Sequence, residues 1–438
     1  MTDRPDRYTH RRILAIAGPM IASNITVPLL GIVDTAVVGH LDSPHYLAAV
    51  AVGATLFSFV FYSFNFLRMG TTGVAAQAAG HSDTDGVRGV LLQSAVIALC
   101  IAALMLALQA WILDLGLALI KPDAAVAAST AAYFSIRIWA APAALLNFAL
   151  MGWFIGLQKA RAPLAVMLVV NVTNIGLDLL FVLGFEMDVR GVALASLCAE
   201  YSGLVFALWL AHRSLAAWPS TASWRDLLQA DRLRRLVSVN QHLLVRSLSL
   251  MFSFALFTAL GARQGSLILA ANAVLLTFQN LTSYALDGFA NAAEALIGHA
   301  VGAKDKRGLD RAWRRTLAWS AGIGVVIALI YAVGGVWLIE RMTDLPEVRR
   351  TAVVYLPWLV LLPLTSTWCF FYDGVFVGAT MARQMRNTML IATFLCFVPL
   401  AFGLLSPLQN HGLWLALNIF MLARATGQHV LWRRTRTL

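Results

Sequence analysis

The feature that most constrains this chain is the return, again and again, of apolar stretches about twenty residues long, each enough to cross a hydrocarbon core. Lipid offers no water to backbone N–H and C=O groups, so such a stretch survives there only as a helix that satisfies its own backbone. These stretches fall near 13–38, 47–79, 90–113, 125–157, 163–185 and 189–212. After a polar segment from Arg213 to Asp231, six more follow near 233–262, 267–301, 316–340, 351–379, 387–405 and 411–432. The pattern predicts an all-α polytopic membrane protein with twelve transmembrane helices. Only 13% of the residues are charged, against about 25% in soluble domains. The first stretch is too long, and too poor in a small-residue cleavage site, for a removable signal peptide, so it is expected to remain as a span.

The formal charge of +11 does not point to a nucleic-acid partner. The basic residues sit in short clusters between apolar runs, where membrane topology accounts for them. In alternating loops, twenty-three Lys and Arg fall on the side of the termini and six on the other. The excess predicts that both termini are cytoplasmic. Cys100, Cys198, Cys369 and Cys396 all fall within predicted spans, without metal-ligand spacing, and read as small core residues. The nine histidines are scattered, mostly at span ends, and form no set with a nucleophile or metal cluster. An enzyme is not expected.

The halves are related by a repeat at a constant offset of 222. Leu47, Ala48, Ala49, Ala51, Val52, Thr55, Tyr62, Ala78, Gly80, Asp83 and Gly86 return as Leu269, Ala270, Ala271, Ala273, Val274, Thr277, Tyr284, Ala300, Gly302, Asp305 and Gly308. The same offset carries Gly152 and Gly156 to Gly374 and Gly378. Six spans per half is an even number, so both halves enter the membrane the same way and form two pseudo-symmetric lobes. The expected organisation is an N-lobe over 1–212, a cytoplasmic linker over 213–231 and a C-lobe over 232–438, with substrate bound between the lobes.

Against this apolar background a few polar residues stand out. Asp34 lies inside the first span, and an ionised carboxylate there costs at least about 2.5 kcal/mol, so it is expected to be used or paired. On the fifth span Asn171, Asn174 and Asp178 are spaced to share one helical face. At about 1.5 Å per residue, Asp34, Asp178 and Ser196 of the sixth span all fall in the outer half of the membrane, at nearly one level. Two carboxylates held together in low dielectric cannot both stay ionised cheaply, so the pair makes a proton site. The same oxygens could instead surround a sodium ion, and an interhelical network that only fixes packing is the third reading. Under the offset, positions 34, 174 and 178 become Leu256, Cys396 and Leu400. Ion coupling is thus expected from the first half alone.

The second half has its own buried charges, Arg246, Asp287, Glu294 and Asp373. Arg246 and Asp287 lie at similar depth, and an internal ion pair between them is the expectation. Glu294 and Asp373 lie nearer the cytoplasm, where an acidic vestibule would suit cationic substrates. Pro19 and Pro28 interrupt the first span, as Pro142, Pro357 and Pro363 interrupt the fourth and tenth. Because proline frees a carbonyl and permits a bend, the first span is a candidate moving element with Pro19 and Pro28 as hinges.

The run from Pro28 through Asp34 to Asp42, the stripe Asn171 to Asp178, and the run Tyr284 to Ala295 with Asp287 and Glu294 resemble the multidrug and toxic compound extrusion (MATE) transporters. Arg383-Gln-Met-Arg-Asn387 and Gly412-Leu-Trp-Leu-Ala-Leu fit the DNA-damage-inducible (DinF) branch, and the likeness covers essentially the whole chain. The resemblance implies a monomeric, twelve-helix, two-lobed exporter in the bacterial inner membrane. It would exchange cationic or amphipathic compounds for protons, or for sodium, by alternating access, with no bound cofactor. It also implies that Asp34, Asn174 and Asp178 form the coupling site, joined by the Ser196 hydroxyl where many relatives carry Thr. Pro19 matches the proline at which the first helix of some relatives is proposed to bend. The chain lacks the seventh-helix acid of the NorM-like branch, so no C-lobe sodium site is expected. A flippase for a lipid or lipid-linked precursor is the alternative within the same superfamily.

Overall fold

The computed structural model describes residues 8–38 and 44–436. Within its helices the side chains at 27–30, 32, 34, 35, 38, 44, 62 and 436 lie outside the description. By internal contacts the described residues divide into two compact units: the first spans Ala22–Val237, and the second groups the residues up to Ile21 with those from Ser238 onward.

The described residues are helical almost throughout. In order the helices are α1 (His10–Val38), α2 (Pro44–Ser63), α3 (Phe66–Gly80), α4 (Thr84–Ala107), α5 (Gln109–Ile120) and α6 (Ala124–Arg137). A 3-10 turn at Ile138–Ala140 separates α6 from α7 (Ala141–Gly156), with Pro142 in the first turn of α7. Next come α8 (Arg161–Asp178), a π-helical turn Leu179–Gly184, α9 (Asp188–Leu215) and α10 (Trp224–Leu227). The second half has α11 (Ala230–Ala262), α12 (Ser266–Gly302), α13 (Lys306–Met342), α14 (Pro346–Gly378) and α15 (Ala382–Ile391). A π-helical turn Ala392–Phe397, α16 (Val398–Gly403) and α17 (Leu405–Arg436) complete it. Pro357 and Pro363 lie inside an unbroken α14.

Ten helices among the described residues are long and apolar enough to cross a membrane. α17, which carries Asn418, Arg424 and Gln428, is not among them. Val333 is 89% exposed, Leu119 75% and Leu395 71%, and large aliphatic side chains presented in such numbers suit lipid rather than water.

The repeat is visible in backbone geometry. Ser82 and Lys304, 222 apart, both end a helix at positive φ, 57° and 52°. Gln158 and Thr380 do the same at 58° and 54°. Each turn is closed by a six-residue bond, from Asp83 N to Ala78 O and Asp305 N to Ala300 O at 3.0 Å, and from Lys159 N to Phe154 O and Met381 N to Phe376 O at 2.8 Å. Asp83 and Asp305 then cap the next helix by accepting from Gly86 N and Gly308 N, both at 2.8 Å.

Packing repeats as well. A Cβ on Gly152 would collide with the Arg68 carbonyl, and one on Gly374 with the Ala290 carbonyl, again 222 further on. Gly156 faces Thr72 O and Gly378 faces Glu294 O, where a Cβ would stand 2.7 and 2.6 Å away. Only glycine allows α7 to lie this close to α3, and α14 to α12.

The expected lobe boundaries shift at both ends of the first unit. The Tyr8 hydroxyl meets His299, Arg315 donates to the Tyr8 carbonyl at 2.8 Å, and Trp319 donates to His10 at 3.0 Å. Those bonds explain why the foot of α1 groups with the second half. The polar segment after α9 packs with the first unit instead: Arg88 donates to the carbonyls of Trp218 and Leu215, and Gln93 to that of Leu227. Of the cysteines, Cys369 alone is fully buried, Cys198 and Cys396 are half-buried, and Cys100 is exposed on α4. An outward helix face in lipid tolerates a small thiol as readily as a core does.

Candidate functional site

The stripe on α8 forms as its spacing predicts. The buried residues of that helix are Pro163, Val166, Val170, Asn171, Asn174 and Asp178, while Val172 on the opposite side is 69% exposed. Asn174 and Asp178 are completely buried, and Ser196 of α9 is nearly so. The Asn174 amide donates to the Ser196 hydroxyl at 3.3 Å, which joins two of the expected residues across the α8–α9 contact. Asn174 Oδ1 finds no hydrogen-bond partner among the described residues. A buried amide oxygen without a donor is costly, and a proton carrier or a cation brought to it removes that cost.

Asn171 is placed differently. Its amide donates to the Thr26 carbonyl on α1 at 3.2 Å, so it ties the stripe to the first helix rather than to α9. Asp34 and Pro28 lie further along α1, and their side chains are outside the described residues. Pro19 is half-buried in the same unbroken helix. Asp178 is the last residue of α8, immediately before the π-helical turn at Leu179–Gly184. Single π turns inside helices recur at functional positions, and hydropathy carries no signal for one.

The second unit arranges its charges in a way that spacing did not predict. Arg246, expected beside Asp287, donates to Asp373 Oδ2. Arg424 of α17 donates to the same oxygen at 2.7 Å, and Gln428 donates to Oδ1 at 2.7 Å. Arg246, Asp373, Arg424 and Gln428 are all at most 8% exposed. Depth counted along a helix places a residue on the membrane normal only, so it could not choose between acids on α12 and α14. Asp373 is therefore a carboxylate held by three donors, not an open acid lining a vestibule. Glu294 is buried on α12, and Asp287 is half-buried on the same helix beside Tyr284.

Two features lie beyond the spacing arguments. Arg424 and Gln428 stand four apart on α17, and this i, i+4 pair in an apolar run was the available signal. Glu200 of α9 accepts from the Asn147 amide of α7, at 3.0 Å through Oε2 and 3.2 Å through its carbonyl. A cavity of about 270 Å³ between α4, α7 and α9 is aliphatic apart from Arg88, with Leu91, Leu146, Leu150 and Leu208 in its lining. It is separate in character from the polar stripe. Among the described residues no three His, Cys, Asp or Glu side chains converge as metal ligands.

The MatE sequence family matches residues 19–180 and 243–402. DNA damage-inducible protein F of Escherichia coli (strain K12) is 43% identical over 419 residues, covering 96% of this chain and 91% of that protein. The probable multidrug resistance protein NorM of Pseudomonas syringae pv. tomato is 27% identical, covering 97% and 95%. Among solved structures, the crystal structure of MATE in the bent conformation superposes with a TM-score of 0.90 at 17% identity, covering 98% of this chain and 95% of that one. That level of identity speaks for the fold.

Proposed function

Starting from the fact that this chain belongs to the MatE family, in its DinF-like branch, we propose that it is a secondary active antiporter that exports cationic or amphipathic toxic compounds in exchange for protons. Membership makes it a membrane transporter rather than an enzyme. The NorM relative is named for multidrug resistance, which supports small organic compounds as the exported class. The proposed architecture has twelve spans in two lobes, with both termini cytoplasmic and the foot of α1 grouped with the second lobe. The repeated turns and glycine contacts support that arrangement, and the Lys and Arg bias supports the orientation.

The observation that carries the mechanism is the fully buried Asp178 on a helix face shared with Asn174, whose amide reaches Ser196. Asp34 and Asp178 are the proposed ion carriers, with Asn174 and Ser196 orienting them and Asn171 linking the stripe to α1. Protonation neutralises the acids, and a neutral acid no longer needs the partners that the ionised form demanded. α1, with Pro19 and Pro28, then shifts, and bound substrate leaves on the outer side. Sodium is the other cargo ion that oxygen donors of this kind could accept.

The test is efflux of a fluorescent cation from proteoliposomes under an imposed proton gradient and then a sodium gradient. Proton-driven efflux by the intact protein, lost in Asp34→Asn while the thermal unfolding transition is retained, is the expected result. Normal efflux by that variant would remove Asp34 from the mechanism. Transport under a sodium gradient alone would make the same residues sodium ligands, and no transport under either gradient would favour a lipid flippase.

A further inference from the structure

We infer that Glu200 is a second protonation site of the first unit, holding its proton as a neutral carboxylic acid paired with the Asn147 amide. The inference rests on the proton-coupled reading above and adds a carboxyl outside the Asp34 and Asp178 pair.

Glu200 lies one helical turn beyond Ser196 on α9, so both project from one face. Its carboxyl is met by one described donor, the Asn147 amide at 3.0 Å, and no ion pair among the described residues involves it. Asn147 is only 3% exposed, and its Oδ1 has no hydrogen-bond partner among the described residues. An acid and a primary amide pair best through two bonds, with the amide N–H donating to one carboxyl oxygen and the carboxyl O–H donating to the amide oxygen. Half of that arrangement is present. A protonated Glu200 supplies the donor that Asn147 Oδ1 lacks, whereas an ionised one leaves that oxygen unsatisfied and places an unpaired charge within a span.

The surroundings allow the proton to leave as well. α9 packs against α2, α6, α7 and α8, and against the 3-10 and π-helical turns beside them. The titratable groups described on those elements are His45 and Tyr46 on α2, Tyr133 and Arg137 on α6, and Arg161 and Asp178 on α8. Of these, Arg137 bears on Glu200 electrostatically, while its guanidinium binds the Tyr133 hydroxyl and lies over the Phe57 ring. Glu200 thus has a neutral state facing an amide and an ionised state eased by a nearby cation. Three residues further along α9, Gly203 meets Val166 and Val170 of α8, with Asn147 at the same point, so the Asn147 amide sits where α7, α8 and α9 come together.

The experiment is infrared difference spectroscopy on the full-length protein in lipid nanodiscs, stepped between acid and alkaline pH, alongside proton-driven efflux in proteoliposomes. One protonated-carboxyl band present in the wild type, in Asp34→Asn and in Asp178→Asn should vanish in Glu200→Gln. In Asn147→Leu, which keeps the carboxyl, the same band should move to higher frequency as its hydrogen bond is lost. The pH profile of efflux should shift in Glu200→Gln and return in Glu200→Asp. Identical spectra for wild type and Glu200→Gln, or a band unmoved in Asn147→Leu, would overturn the proposal, as would an unshifted efflux profile. Failure of the wider reading looks different: the wild type itself would show no proton-driven efflux, and the spectra would still decide whether Glu200 carries a proton.

Discussion

Asp178 in the first unit and Asp373 in the second are both buried carboxylates on largely apolar helices, yet the described side chains grouped with them differ in kind. Asp178 continues a helix face of neutral amides, with a serine hydroxyl across the contact. Asp373 is grasped by two guanidinium groups and an amide. The units share their turns, caps and glycine contacts at one offset, so the difference is not one of scaffold. A repeat can preserve helix-to-helix packing while its buried polar chemistry diverges, because packing depends on small residues at close approaches and chemistry on a few side chains facing the core. An acid bridging two guanidiniums cannot release its role without leaving buried cations behind, so it acts as a fastener for α11, α14 and α17.

The sharpest way to break this comparison is to neutralise each acid in turn. Asp178→Asn is expected to lower proton-driven efflux to background while the unfolding transition stays where it was. An Asp178→Asn protein that still transports would place coupling elsewhere. Next in size is the stability effect in the second unit. Asp373→Asn is expected to destabilise the protein by about 3–5 kcal/mol, because it leaves Arg246 and Arg424 buried without the carboxylate they share. Combining it with Arg424→Leu, which removes one of those two cations, should recover part of that loss, a coupling readable as a double-mutant cycle in thermal unfolding. Full additivity of the two would show that the pair is not energetically joined. The smallest expected effect tests what the units share: Gly152→Ala and Gly374→Ala should each cost about 1–3 kcal/mol through overpacking. Gly322→Ala, where a Cβ meets nothing within 4 Å, should gain about 0.4–1 kcal/mol. A large difference between the two repeat positions would mean that the matched carbonyl contacts are not equivalent in strength.

Much of this was readable in advance, for identifiable reasons. Apolar length marks a span because lipid forbids unsatisfied backbone, and a constant offset marks a repeat because both copies must close the same turns. The face shared by Asn171, Asn174 and Asp178 follows from helical periodicity alone. Lateral order was less legible. Arg246 and Asp287 matched in depth, but Arg246 bonds to Asp373 because the rotation and neighbours of α11 are set by side-chain packing that no hydropathy pattern encodes. The Asn147–Glu200 contact joins residues 53 apart on two separate helices, and the foot of α1 joins the second unit through Tyr8 and His10.

The sequence by itself determined the membrane class, the duplicated plan and the polar face on α8, all of which depend on periodicity along a single helix or on an offset between two. The tertiary structure decided which buried charges meet and where α8 opens into a π-helical turn. It also decided which amide oxygens are left without donors among the described residues. Those outcomes depend on how helices rotate and stand side by side, and that is settled by close contacts such as those at Gly152 and Gly374, summed over the whole bundle.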